Sequence, residues 1–296
     1  MSLRPAYSAG SLGGTDAVAV LEASMLVIGD EILGGFVQDT NSGWLATQLM
    51  ETGIPFTRVS TIPDTHADID EGLLAELGRS RPRLVFTSGG IGSTPDDITF
   101  EAIAASLGQG LRLDPLLGER IESALGWAAS RGLDVDETYR QHMLRMARIP
   151  EGATLMAPEV TWAPGVRIDV DGGIDADGVT IIVLPGVPSQ FRTIVTAAVR
   201  PELMDGRNPP VHVEEIEHWF PESVLNACFD RLQQRWPTVK LGSYPSMPML
   251  VRLIGPEAPC REAAAHVRAE IETLLATGPG RKLAREWKHR WASQDG

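Results

Sequence analysis

The chain has 296 residues, enough for one large or two medium domains with a substantial core. A hydrophobic content of 43% and a mean hydropathy of −0.04 fit a soluble globular protein, and no apolar run approaches the ~20 residues of a membrane span. A net charge of −13 disfavours nonspecific nucleic-acid binding, and two cysteines, Cys228 and Cys260, are too few for a disulfide framework.

Residues 1–23 are rich in Ser, Gly and Ala, carry Arg4 as their single basic residue and lack the apolar core of a signal peptide. They read as a disordered leader, and the protein as cytoplasmic with reduced thiols. Ser24 to Gly29 then predicts a strand. Asn41 to Thr52 predicts an amphipathic helix, with Trp44, Leu45 and Leu49 on one face and Gly53 as its stop. Phe56 to Ser60 is a second strand, and Asp64 is placed to cap a helix from about Ala67 to Arg79. Leu84 to Thr87 is a third strand, followed by a glycine loop and a helix ending at Gly108. This βαβαβα order predicts a parallel sheet with right-handed crossovers. Helices over Leu116–Arg131 and Glu137–Ala147 follow, then a hairpin of Val166–Val170 and Val179–Leu184, then a helix from Pro188 to Val199. Arg200 to Pro210 is rich in Pro, Gly and Asn and reads as a domain boundary. A βαββα module of mixed topology is expected beyond it: strand Val211–Trp219, helix Glu222–Arg235, strands Val239–Ser243 and Leu250–Gly255, and helix Arg261–Ala276. The basic tail with Trp287 and Trp291 reads as a terminal helix packed on that module.

The most informative segment is Leu84 to Thr99. Its glycines follow a buried strand and let backbone N–H groups approach an anion, at the carboxyl edge where open α/β sheets bind ligands. Asp96 and Asp97 would repel phosphate unless a divalent cation lay between. Helix capping by Thr94, Pro95 and Asp97 accounts for one of these carboxylates, but for neither the second nor the glycines.

The order Ile28-Gly29-Asp30-Glu31-Ile32-Leu33-Gly34-Gly35, Asp39-Thr40-Asn41, Gly89-Gly90-Ile91-Gly92-Ser93-Thr94-Pro95-Asp96-Asp97-Ile98-Thr99 and Leu184-Pro185-Gly186-Val187-Pro188 resembles the molybdopterin-binding-like (MoaB/Mog) domain. The version it resembles is the N-terminal part of the competence/damage-inducible CinA family, whose KH-like module is matched by Leu241-Gly242-Ser243-Tyr244-Pro245. The resemblance implies a three-layer α/β/α domain with a mostly parallel sheet over residues 24–205. It also implies a smaller α+β KH-like module over 211–277, followed by a tail over 278–296. The chain stops soon after that module, so the family's C-terminal amidase domain, and with it nicotinamide-nucleotide deamidation, is not expected.

The resemblance further implies metal-dependent hydrolysis of a nucleotide pyrophosphate such as ADP-ribose. Asp97, Asp96 and Glu31 would be catalytic, and Asp30, Glu31, Asp96 and Asp97 would hold Mg²⁺, Mn²⁺ or Co²⁺. Ser88, Gly89, Gly90, Gly92, Ser93, Thr94, Thr40, Asn41, Pro185, Gly186 and Gln190 would contact the ligand. Capping serves equally well for Asp39, Thr40 and Asn41, as does a plain turn for Pro185 and Gly186. Alternatives are a molybdopterin-binding protein, a FAD pyrophosphatase and a noncatalytic homologue. The expected partners are a nucleotide or pterin ligand and further copies of the chain, as a dimer or trimer, with neither nucleic acid nor membrane.

Several positions depart from the family pattern. Ser93 stands for its usual proline, Ala157 for an Asn, Thr161 and Trp162 for a Gly-Thr pair, and Gln190 for a Glu. These changes leave the anion site in place but put substrate and turnover in question. The six histidines have no metal-ligand spacing, no nucleophile motif occurs, and the KH-like module lacks a Gly-x-x-Gly clamp.

Overall fold

A computed structural model describes residues 20–292; the expected leader, except for its last residues, lies outside the described residues. The elements run β1 (Glu22–Ile28), α1 (Asp30–Leu33), α2 (Asn41–Glu51), β2 (Phe56–Ile62), α3 (His66–Leu77), β3 (Arg83–Ser88) and α4 (Thr99–Ser106). Then come β4 (Leu111–Leu113), α5 (Pro115–Ser130), α6 (Glu137–Arg145), β5 (Arg148–Pro150), β6 (Thr154–Met156), β7 (Gly165–Val170), β8 (Val179–Leu184) and α7 (Pro188–Ile194). The chain folds into two compact units, one comprising residues up to Trp44 with Pro55–Pro201, the other Leu45–Ile54 with Glu202 onward.

The first unit holds a six-stranded sheet in the order β2-β1-β3-β8-β7-β6, with β2, β1, β3 and β8 parallel and β7 and β6 antiparallel. β3 and β8 are buried along their whole length, as expected of central parallel strands covered on both faces. Leu26, Val85, Ile181 and Val183 form one core with Ile69 and Leu73 of α3, Phe100 and Ile103 of α4, and Leu117 and Ile121 of α5. On the opposite face Phe191 of α7 is buried and meets the Trp44 ring edge-on at 6.2 Å. These are the three layers expected from the sequence.

Several expectations are corrected. β1 starts at Glu22, so the last leader positions belong to the sheet. Thr65, not Asp64, caps α3, its Oγ1 accepting from Asp68 N at 3.2 Å. The three-residue strands β4, β5 and β6 were not foreseen, being too short to carry a period. The helix from Pro188 does not stop at Val199. It continues as a π-helix over Val195–Met204 with Pro201 inside, so the expected linker begins inside a helix. A wider turn suits proline, which lacks the N–H and clashes with an α-helical carbonyl.

The second unit contains β9 (His212–His218), α8 (Glu222–Arg235), β10 (Lys240–Tyr244), β11 (Met249–Gly255), α9 (Glu257–Ala276) and α10 (Gly278–Ala292). Its sheet, β10-β11-β9, is antiparallel throughout rather than mixed. Leu225 and Leu232 of α8 and Cys260, Ala264 and Val267 of α9 pack on Ile216, Val251 and Leu253. Both cysteines are free and buried, and burial pushes their thiols up, as suits inert packing groups. Lys288 of α10 lies 4.8 Å from the Trp219 ring, which docks the tail on this unit. Among the described residues no helix is long and apolar enough to cross a membrane.

His218 gives this unit a pH dependence. It is buried, its Nδ1 accepts from Phe220 N at 3.2 Å, and Nε2 has no partner. Burial lowers its pKa, against a smaller raising effect of the Glu222 carboxylate. The unfolded imidazole titrates near the ordinary value of about 6.5, so below that pH the unfolded chain takes up a proton that the folded unit resists. Stability should therefore be full above about pH 6.5 and fall as pH drops through it. Thermal unfolding across this range should show the acid-side loss, and His218→Asn, which keeps an acceptor for Phe220 N, should flatten it. Equal acid sensitivity in both proteins would assign the effect elsewhere.

Candidate anion-binding site

Sheet topology fixes where a site can form. From β1 the chain passes through α2 to β2 on one side, then through α3 to β3 on the other, so the strand order reverses between β1 and β3. Val27, Ser88 and Leu184 stand in register at the carboxyl ends of β1, β3 and β8. The loops that follow therefore emerge side by side in the crevice where doubly wound sheets bind ligands. A cavity of about 510 Å³ lies there, within the range of small-molecule sites.

The glycine loop is shaped by steric necessity. Gly89 has φ +105°, and a Cβ there would lie 2.2 Å from the Ile28 carbonyl oxygen. Gly90 has φ +66°, and its Cβ would lie 2.3 Å from Thr99 Oγ1. Thr99 ties the loop from the far side, donating from Oγ1 to Gly89 O at 3.0 Å and from its amide to Gly90 O at 3.0 Å. The Gly89 amide is committed to Leu184 O at 3.2 Å. By contrast, no group among the described residues accepts a hydrogen bond from the amides of Gly90, Ile91, Gly92 or Ser93. The free donors thus begin one residue later than the motif suggests.

Asp97 does not cap the following helix, which starts at Thr99 after Ile98, a residue without a side-chain cap. It braces a turn instead: Thr94 N donates to Asp97 Oδ2 at 2.9 Å, and the Thr94 hydroxyl lies 2.7 Å from the same oxygen. A side chain at Gly92 would collide with this carboxylate, 2.5 Å from Oδ2. Asp97 lines the cavity, whereas Asp96, Ser93 and Thr94 do not. Asp96 is exposed, and its hydrogen bond with Thr94 holds its carboxyl below the usual range. Arg145 of α6 supports the turn from outside, 3.4 Å from the carbonyl oxygens of Thr94 and Asp97 and paired with Glu101 at 3.3 Å.

Among the residues after β1, Glu31 lines the cavity and Asp30 does not. Asp39 accepts from the amides of Asn41 and Ser42 at 2.9 and 3.1 Å, which is helix capping, although it also lines the cavity with Thr40. Asn41 has a different role. It is buried, and Nδ2 donates to Ser88 Oγ at 3.0 Å and to Gly186 O at 2.9 Å, joining the ends of β3 and β8. A carbonyl can only accept, so the amide orientation is fixed and the buried, unpartnered Oδ1 remains available to a ligand donor. Pro185, Gly186 and Gln190 line the opposite rim.

The cavity thus gathers Glu31, Thr40, Asn41, Ser88, Gly89, Gly90, Gly92, Asp97, Pro185, Gly186 and Gln190, and leaves Asp30, Ser93, Thr94 and Asp96 outside its lining. Sequence reasoning missed Gln38 and Met146, whose positions depend on tertiary packing that no local pattern reports. Carboxylates line the site, while none of its described lining residues is Lys or Arg. Among the described residues no three His, Cys, Asp or Glu side chains gather to hold a metal by themselves. This donor set fits an ion shared with ligand phosphates, as Mg²⁺ commonly is, rather than a closed protein cage.

A class of protein follows from this geometry: a doubly wound α/β domain with an anion loop at its topological switch point. The family model for a probable molybdopterin binding domain matches residues 24–205. A protein of Aeropyrum pernix is 32% identical over 261 residues, covering 85% of this chain and 91% of its own. A CinA-like protein of Mycobacterium sp. (strain JLS) is 32% identical over 257 residues, covering 86% of this chain but only 53% of its own, so the chain spans about half of that relative. The crystal structure of the protein CinA from Thermoplasma acidophilum aligns over 60% of this chain and 95% of its own, at 30% identity and a TM-score of 0.49. The chain belongs to the probable molybdopterin-binding domain family and is one of its CinA-like members.

Ala157 sits in the left-handed region at φ 52°. Relief of about 1–2 kcal/mol of left-handed strain exceeds the roughly 0.5–1 kcal/mol of chain entropy that glycine adds. Ala157→Gly should therefore raise stability by about 0.5–1 kcal/mol in denaturant unfolding. A loss of stability would show that the methyl group's packing outweighs the strain.

Proposed function

We propose that the first unit binds a nucleotide pyrophosphate, with ADP-ribose as the representative substrate, and hydrolyses its phosphoanhydride with a divalent cation. The observation that supports this most is the row of free amides from Gly90 to Gly92, residues that line the cavity at the carboxyl edge of the sheet. Backbone dipoles in such a row favour an anion without requiring a basic side chain. The carboxylates of Asp97 and Glu31 on the same lining would hold Mg²⁺, Mn²⁺ or Co²⁺ together with the ligand's phosphates. When bound, such an ion supplies charge neutralisation and a water of lowered pKa. Asn41 Oδ1 would accept from a ribose hydroxyl, and Gln190 would hydrogen-bond a ribose or phosphate oxygen.

A second reading is ligand binding with slow or no turnover, the ligand being pterin-like. Two observations favour it: the family's description as a probable molybdopterin binding domain, and the uncharged amide of Gln190 on the cavity lining. Gln190 can neither act as a base nor add charge to a metal site.

Turnover of ADP-ribose and FAD, and binding of a pterin, should be compared with each cation. ADP-ribose should be cleaved only with metal present. Asp97→Asn should lower that rate at least about a hundredfold, because the ion loses its charged ligand. Stability should change by about 1 kcal/mol or less, since the amide oxygen can still accept from Thr94. Full turnover by folded Asp97→Asn would reject the assignment. Gln190→Glu should raise kcat under saturating metal with little change in affinity, whereas an unchanged or lower kcat would place Gln190 outside the reaction.

A further inference from the structure

Trp162 lies in the loop between β6 and β7 and lines the main cavity, where it is the one aromatic side chain among the described lining residues. It is 47% exposed. A large apolar ring left half in water is costly unless something covers it, at about 25 cal/mol per Å².

The backbone of its loop is held from behind. Arg120 of α5 donates to the carbonyl oxygens of Thr161 and Trp162 at 3.1 and 3.3 Å, and also to that of Pro158. Thr161 Oγ1 donates to Ala163 O at 3.0 Å, and the Val160 amide to Ala157 O at 3.2 Å. A second, apolar hollow adjoins the cavity and shares Ile91, Met146, Trp162 and Ala163 with it. Its volume is about 30 Å³ against about 510 Å³ for the main cavity, so the main cavity is the one with room for a ring. The face of the indole that can receive a ring is therefore the one on the main cavity.

The geometry points to Trp162 as the specificity-determining residue of this site, stacking the planar base or ring at the far end of a phosphorylated ligand. This inference rests on the nucleotide reading above and extends it: the free amides take the anion, and the indole takes the ring. Arg120 is a positioning residue, acting through the carbonyl oxygens it holds. Stacking on an aromatic side chain tolerates any flat heterocycle, so Trp162 selects for the presence of a ring rather than for its hydrogen-bonding edge.

The test uses two probes that cannot be hydrolysed, α,β-methylene ADP-ribose and methylenediphosphonate, titrated calorimetrically into the full chain with Mg²⁺. The first carries a ring and the second does not. Trp162→Ala should weaken α,β-methylene ADP-ribose about ten- to a hundredfold, the loss of one stacked base. It should leave methylenediphosphonate within about twofold, which also certifies the fold of the variant. Trp162→Phe should recover most of the lost affinity. Equal weakening of both probes, or no weakening of the nucleotide, would overturn the assignment while leaving the anion site standing. If wild type binds neither probe, the nucleotide reading fails, and this inference fails with it.

Discussion

The carboxyl ends of β1 and β3 approach so closely that position 89 has no room for a side chain: a Cβ there would lie 2.2 Å from the Ile28 carbonyl oxygen. That contact is the constraint from which the site is built. With Gly89 bound to Leu184 O and Gly90 wedged against Thr99, the chain has to leave the sheet in a left-handed path. The next amides then have no carbonyl to meet, although the strands around them are fully paired. Buried N–H groups without a partner are rare in folded proteins, and these half-buried amides are left to water or a ligand. The requirement for glycine and the unpaired amides thus share one cause.

Charge adds a second constraint. An acidic chain whose cavity is lined by Glu31, Asp39 and Asp97 would repel pyrophosphate at long range. Short-range backbone dipoles act only once the anion is seated, so under the proposed function a mobile cation would bring phosphate and carboxylate together. The same carboxylates also have structural work, Asp97 in its turn with Thr94 and Asp39 at the start of α2. Both oxygens of Asp39 are committed to the fold, Oδ1 to the amides of Asn41 and Ser42 and Oδ2 to the Ser42 hydroxyl, whereas Asp97 commits only Oδ2 and leaves Oδ1 for a ligand. Such sharing limits how many protein ligands an ion could recruit, in keeping with the absence of a three-carboxylate cluster among the described residues.

Much of the first unit was legible in the sequence because its central strands are buried on both faces. Leu84–Phe86 and Val179–Leu184 read as continuous apolar runs, and glycines stand where the strands end. What escaped depends on distance. Whether Asp96 or Asp97 lines the cavity follows from the Thr94 turn, since adjacent carboxylates look alike in sequence. The capping role expected of Thr94 failed because the chain spends four residues on that turn before α4 begins. Met146 enters the lining through packing alone, whereas the departure at Trp162 already marked that rim in the sequence, and what stayed hidden there is Arg120, about 40 residues before the carbonyl oxygens it holds. The π-helix was illegible for another reason: Pro201 argues for a helix end under α-helical spacing, and only the wider turn removes the objection.

Under the proposed function the amides of Gly90 to Gly92 receive a pyrophosphate. Backbone amide resonances of the full chain, followed by two-dimensional ¹H–¹⁵N NMR during a titration with inorganic pyrophosphate and Mg²⁺, test it directly. Saturable shifts are expected at Gly90, Ile91 and Gly92, with a much smaller shift at Gly89, whose amide already bonds Leu184 O. Saturable shifts confined to other segments, with these amides unmoved, would contradict it.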